Sequence, residues 1–125
     1  MIAVDTSVLV AFLQGHEGPD VERLEAALLL TDVVLPPVVL TEVLSAPNAG
    51  RVGTLIEALP VLPLIDGYWT RAALLRATIL RRGLRARLAD TLIAQSCIDN
   101  GVSLLTRDGD FRHFARYSSL DLIRA

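Results

Sequence analysis

Strand-like and helix-like patterns alternate along the whole of this sequence, and that alternation restricts the fold more than any other feature. Short apolar runs at 1–4, 33–35, 61–65, 102–105 and 120–123 read as strands, the third at a sheet edge because it contains Pro63. Helical patterns lie between them. Thr6 and Ser7 are N-cap residues for a helix over 8–13, and Pro19 and Asp20 open one that carries Val21, Leu24 and Leu28 on one face. Pro36 and Pro37 end a strand and start a helix reaching about Ala46, and a short helix follows over 50–59. A long helix from about Tyr68 to Arg82 stops at Gly83, the next runs from Leu88 to Asn100 and closes at Gly101, and 111–115 forms a short helical turn. This order predicts an α/β fold, a parallel sheet covered on both faces. With 125 residues, no repeat and no linker, it predicts one domain over 1–125.

In an open parallel sheet, ligands bind just beyond the carboxyl ends of the strands. Asp5 follows the first strand directly and Asp108 follows the strand at 102–105, so both project toward one edge. Each also suits a helix cap or a turn. Asp90 shares a helix face with Ala86, Ile93, Ala94 and Cys97, and Glu42 with Val38, Val39, Ser45 and Ala46. Both faces are expected to be buried. A buried carboxylate must be paired, protonated or metal-bound, and pairing with arginine is the plain alternative. Four carboxylates on one edge would raise one another's pKa, and a divalent cation removes that penalty. Oxygen ligands without His or Cys select Mg²⁺ or Mn²⁺ over Zn²⁺.

Composition narrows the chemistry further. All twelve basic residues are arginine, which excludes a P-loop lysine, a Schiff-base lysine and the lysine of a receiver domain. A haloacid-dehalogenase-like site would need Asp where Ser7 stands. The single cysteine, Cys97, excludes an internal disulfide and is read as a small core residue. His16 and His113 lack metal-ligand spacing and are expected at the surface. A signal peptide is not expected without a basic segment before the apolar N-terminus, nor a membrane span from the interrupted run 26–40. A cytoplasmic protein follows as the expectation. The net charge of −2 offers no general attraction to a polyanion, so such contact requires a local patch or bound cations. The segment 67–89 holds six arginines and no acid, and Arg82, Arg85 and Arg87 are its candidates for phosphate contact beside Asp90. Tyr68 and the lone Trp69 suit a core or dimer role better than base stacking.

Four segments together resemble a known family. "VDTSVLVAFL" is similar to the opening of PIN domains, where an acid ends the first strand before Thr or Ser. "LTEVLS" around Glu42, "LADTLIAQSC" around Asp90 and "LLTRDGDF" at 104–111 look like the later acidic motifs, in the same order. The resemblance covers essentially the whole chain and is greatest to the VapC toxins of toxin–antitoxin pairs. It implies a three-layer α/β/α sandwich and a type II toxin that acts as an endoribonuclease with one or two Mg²⁺ or Mn²⁺ ions. Asp5, Asp90, Asp108 and Glu42 would be the catalytic, metal-holding acids. Thr6 and Thr106 would steady carboxylates or waters, and Asp110 would support them or cap the turn before Phe111. The resemblance further implies RNA hydrolysis by a metal-activated water that leaves a 5′-phosphate, a homodimer, and inhibition by a small antitoxin protein. The helices over 37–46 and 50–59 are candidates for the dimer contact. The rival expectation is a PIN-like module that binds a protein or RNA without cutting.

Overall fold

A computed structural model describes residues 1–47 and 50–124. Its elements are β1 (Ile2–Val4), α1 (Thr6–Leu13), α2 (Pro19–Leu29), β2 (Val33–Val34), α3 (Pro37–Leu44), α4 (Gly50–Glu57), α5 (Tyr68–Arg81), α6 (Leu88–Asn100), β3 (Ser103–Leu105) and α7 (Phe111–Arg116). The three strands form a parallel sheet in the order β2-β1-β3, with Ile2 opposite Val33 on one side and Ser103 on the other. The result is the expected α/β/α arrangement. Parallel neighbours cannot be joined by a tight turn, so helical crossovers link them and cover the sheet.

The strands are short and almost wholly interior. Ile2, Ala3, Val4, Val33, Val34, Leu104 and Leu105 are all buried, and they merge with Val8, Leu9, Leu24, Ile93, Phe111 and Phe114 in one core. Cys97 belongs to that core, and burial pushes its thiol up to about 12. Around the sheet, α1 packs on α2 and α3, α3 on α4 and α6, and α5 on α6 and α7. Among the described residues no helix is long and apolar enough to cross a membrane.

Two expected strands shrink to single bridges, Leu35 with Val61 and Leu104 with Leu122, both parallel. Pro60 and Pro63 flank the first and bring no N–H to a ladder. One helix boundary also moves. Asp5, not Thr6 or Ser7, is the N-cap of α1, and its side chain accepts from the Val8 amide. Helices entering the sheet's carboxyl edge place their N-termini there. This is true of α1 directly after β1, of α3 after β2 with Pro37 at its first turn, and of α6, which runs back to feed β3.

Candidate active site

The carboxyl edge of the sheet gathers the four acids singled out by the sequence. Asp5 stands at the end of the central strand and is only 4% exposed. Its Oδ1 accepts from Ser7 Oγ at 2.6 Å and from the Val8 amide at 3.3 Å, and its Oδ2 accepts from Thr106 Oγ1 at 2.6 Å. The same Thr106 hydroxyl accepts from the Asp108 amide at 3.0 Å. Burial holds the Asp5 carboxyl above its usual range, against these hydrogen bonds, and Asp108 adds repulsion. The cap reading and the site reading of Asp5 are therefore not alternatives, because one carboxylate does both.

Asp90 lies in the first turn of α6 and is half-buried. Its carboxyl is pushed up to about 6, first by burial and next by the charge of Asp108; Arg87 opposes the rise, and Asp5 and Glu42 add to it. Asp90 thus feels all three of the other acids. Four segments distant in sequence, the end of β1, α3, α6 and the turn after β3, have delivered four acids to one cleft.

Glu42 departs from expectation. Of the face assigned to it, Val39 is buried but Glu42, Ser45 and Ala46 are exposed. The reason is that this turn of α3 looks onto the open cleft and not into the core. Glu42 is held there by Thr6, whose Oγ1 donates to Glu42 Oε1 at 2.8 Å. Asp108 is half-buried, and its Oδ1 accepts from the Asp110 amide at 2.9 Å. Asp110 occupies the N-cap position of α7, but its side chain makes no capping bond. It lies instead 3.7 Å from Arg85 Nη1.

The arginines of 67–89 divide into distinct uses. Arg71 donates to both oxygens of Asp99 at 2.9 and 2.6 Å, and Arg76 Nε donates to the Ala86 carbonyl at 2.8 Å. Arg82 stacks over the Tyr117 ring at 4.2 Å, Arg85 meets Asp110, and Arg87 sits near Asp90. Tyr68 is buried with its hydroxyl donating to the Leu92 carbonyl, whereas Trp69 is 63% exposed. His16 is exposed and His113 half-buried.

Ser7 is the residue that the sequence reading undervalued. It donates to Asp5 and accepts from the Arg107 amide at 3.3 Å, so it links the start of α1 to the loop after β3. The signal was present in "DTS": a hydroxyl two residues past a helix-capping acid can turn back onto it. Arg107 was also missed. It donates to both oxygens of Asp20 at 2.6 and 2.8 Å and fastens that loop to the start of α2.

Among the described residues, no three His, Cys, Asp or Glu side chains are drawn together tightly enough to hold an ion as they stand. The donor set nonetheless suits a hard divalent cation. All four donors are carboxylates, burial and the charges of the other three hold Asp90 above its usual range, and Arg87 alone opposes them there. Asp90 and Asp108 are partly exposed and Glu42 fully so.

A family model described as the PIN domain matches residues 2–117. No curated protein matches the chain significantly. Among solved structures, the chain is similar to one in VapBC2 from Rickettsia felis bound to a DNA fragment from their promoter. There the TM-score is 0.74 at 20% identity, over 98% of each chain. A chain of VapBC-5 from Mycobacterium tuberculosis, described as a member of the VapBC family of toxin–antitoxin systems, gives 0.72 at 23% identity over 99% of this chain and 98% of that one. A chain of FitAcB from Neisseria gonorrhoeae gives 0.71 at 20% identity over 99% and 97%. At such identities the likeness is one of fold.

Proposed function

This chain belongs to the PIN-domain family, and from that premise we propose that it is a Mg²⁺- or Mn²⁺-dependent endoribonuclease, the toxin of a type II toxin–antitoxin pair. The observation that carries the reading is the crowding of Asp5, Glu42 and Asp108 around Asp90 at the carboxyl edge of a parallel sheet, with too little positive charge to balance them. A protein gains nothing in stability from such an arrangement, and strained groups of this kind mark functional sites.

When bound, a divalent cation there supplies an acidified water and neutralises charge that develops on a phosphodiester. The chain's own residues supply the rest. Asp5 is the fixed member, since three donors lock both of its oxygens. Asp90, Asp108 and Glu42 are the adjustable members. Thr6 aims Glu42, and Thr106 couples Asp5 to the turn that carries Asp108. Burial first, and then the charges of Asp108, Asp5 and Glu42, hold the Asp90 carboxyl at about 6, so it would be a carboxylate able to hold a cation above that pH.

The partner reading follows from the same family. Solved relatives of this fold are described as VapBC and FitAcB assemblies, which supports a small cognate antitoxin here as well. Leu29 and Leu30 at the end of α2 are 87% and 74% exposed and give such a partner apolar surface to cover. A homodimer is the other assembly the family suggests. The absence of a closed ion site among the described residues favours a second reading, a PIN module that binds without cutting.

Purified protein incubated with a structured RNA tests this, with Mg²⁺ or Mn²⁺ and with chelator, beside Asp5→Ala and Asp90→Ala. Metal-dependent cutting that leaves 5′-phosphate ends and disappears in both variants is the expected result. Folded protein that neither binds Mn²⁺ nor cuts would give the second reading the field.

A further inference from the structure

The acidic cleft continues into a second feature of opposite sign. A groove of about 660 Å³ extends from Thr106 and Asp108 to the C-terminal segment, where Leu120, Leu122 and Ile123 line it. Four arginines border it: Arg107, Arg112, Arg116 and Arg124. Arg107 is already neutralised by its two-oxygen grip on Asp20. Among the described residues, Arg112, Arg116 and Arg124 form no ion pair. All three are exposed. Arg112 commits only its Nε, to the Gly109 carbonyl at 3.0 Å, and Arg116 rests near the Tyr117 ring at 5.3 Å. The groove's acids are occupied elsewhere. Asp121 accepts from Ser103 Oγ at 2.5 Å, and Asp108 accepts from the Asp110 amide and belongs to the cleft.

Resting on the ribonuclease reading, we propose that this groove holds the phosphates of the RNA strand on one side of the bond to be cut, with Arg112, Arg116 and Arg124 as its phosphate contacts. A chain with net charge −2 and an acidic cleft repels RNA unless cations beside the cleft hold it. Guanidinium groups with N–H donors to spare suit phosphate oxygens, and the leucines beside them suit the apolar faces of sugar and base. An acidic peptide would satisfy the same charges. RNA is favoured because Thr106 and Asp108 line the groove and also belong to the cleft, so a strand lying in the groove brings a phosphodiester to Asp5 and Asp90. Half of the arginines at 67–89 are committed within the fold, Arg71 and Arg85 to carboxylates and Arg76 to a backbone carbonyl.

The test is binding of a labelled single-stranded oligoribonucleotide to the full chain in chelator across a salt series. The unsubstituted protein is compared with Arg112→Gln/Arg116→Gln/Arg124→Gln and with Arg23→Gln/Arg81→Gln as an off-groove control. The groove variant should lose at least about tenfold in affinity, and its log–log salt slope should fall by roughly 2, at about 0.7 for each single-strand phosphate contact. Its Mn²⁺ binding and thermal midpoint should match those of the unsubstituted protein, and the control should lose far less. Unchanged slope and affinity overturn the groove while leaving the ribonuclease reading intact, and so does an equal loss in the control. Polyglutamate binding that the groove variant abolishes, with RNA binding unaffected, assigns the groove to an acidic protein instead. Groove-dependent RNA binding by a protein that cuts nothing sustains the groove and sinks the ribonuclease reading.

Discussion

Thr106 Oγ1 donates a 2.6 Å hydrogen bond to Asp5 Oδ2 across 101 residues of sequence, and the same oxygen accepts the Asp108 amide. One hydroxyl therefore ties the acid of β1 to the acid beyond β3. Thr106→Ala breaks both links at once. Removing a group that orients a metal-binding carboxylate lowers metal affinity by about 10–100-fold. Loss of a hydrogen bond to a charged acceptor costs about 1.5–3 kcal/mol of stability. Mn²⁺ titration calorimetry and denaturant unfolding measure the two effects, and Thr106→Ser should recover most of both. Unchanged Mn²⁺ affinity in the alanine variant would make the link merely structural.

Asp90 gives a stability signature in the metal-free protein. Its carboxyl sits at about 6 when folded against 3.8 in the unfolded chain, so the folded state holds this proton more tightly. That contribution to stability is fully present below about pH 4 and is lost as pH rises through about 6. Metal-free Asp90→Asn should then exceed the unsubstituted protein by about 1 kcal/mol at pH 7, the full linkage value being reduced by solvent screening at a half-buried group. The gap should close toward pH 4. Mn²⁺ should stabilise the unsubstituted protein and not the variant. Destabilisation by Asp90→Asn at pH 7 would contradict the crowding and point to a structural ion pair.

The order of elements and the four acids were readable because each depends on local pattern. Switches between strand and helix periodicity mark the elements, and an acid directly after a buried strand must lie at its carboxyl end. Other features depend on what stands opposite, which periodicity does not report. Glu42 has apolar neighbours on α3 yet is exposed, and it meets Thr6 at the start of α1. The apolar run at 61–65 matched a strand, but Pro60 and Pro63 limit its pairing to Val61. Arginine density along the sequence pointed to 67–89. Pairing is visible only in the fold: among the described residues Arg71 and Arg85 of that segment are ion-paired, whereas Arg112, Arg116 and Arg124, spaced along α7 and the C-terminal segment, are not.

Arg71 illustrates that distinction and makes it measurable. It grips Asp99, whose side chain is 6% exposed, and Asp99 also accepts from Gln95 Nε2 at 2.8 Å. Arg71 further donates to the Asp66 carbonyl at 2.8 Å, so it fastens the start of α5 to both α6 and the preceding loop. Arg71→Gln leaves a largely buried carboxylate without its cation and should lower the thermal midpoint by several degrees. RNA affinity and salt slope should stay as they were. A reduced slope with an unchanged midpoint would move Arg71 from the scaffold to the RNA-binding surface.

Asp5 performs two tasks that two substitutions can separate. As the N-cap of α1 it accepts from the Val8 amide, and as the buried acid of the cleft it carries charge. Asparagine caps a helix about as well as aspartate but carries no charge. Asp5→Asn should therefore keep α1 capped, and it relieves the desolvation that holds this carboxyl above its usual range. With an amide nitrogen in place of Oδ2 it no longer accepts from Thr106, so its metal-free stability should lie between those of the unsubstituted protein and Asp5→Ala, while Mn²⁺ binding collapses. Asp5→Ala removes the cap as well, at about 0.5–2 kcal/mol, and strands the hydroxyls of Ser7 and Thr106. It should lose both stability and metal binding. Denaturant midpoints and Mn²⁺ isotherms for the pair decide the matter. Equal destabilisation by the two variants would mean that the charge of Asp5 holds the fold together, and the metal-holding role assigned to it would then have to pass to Asp90 and Asp108.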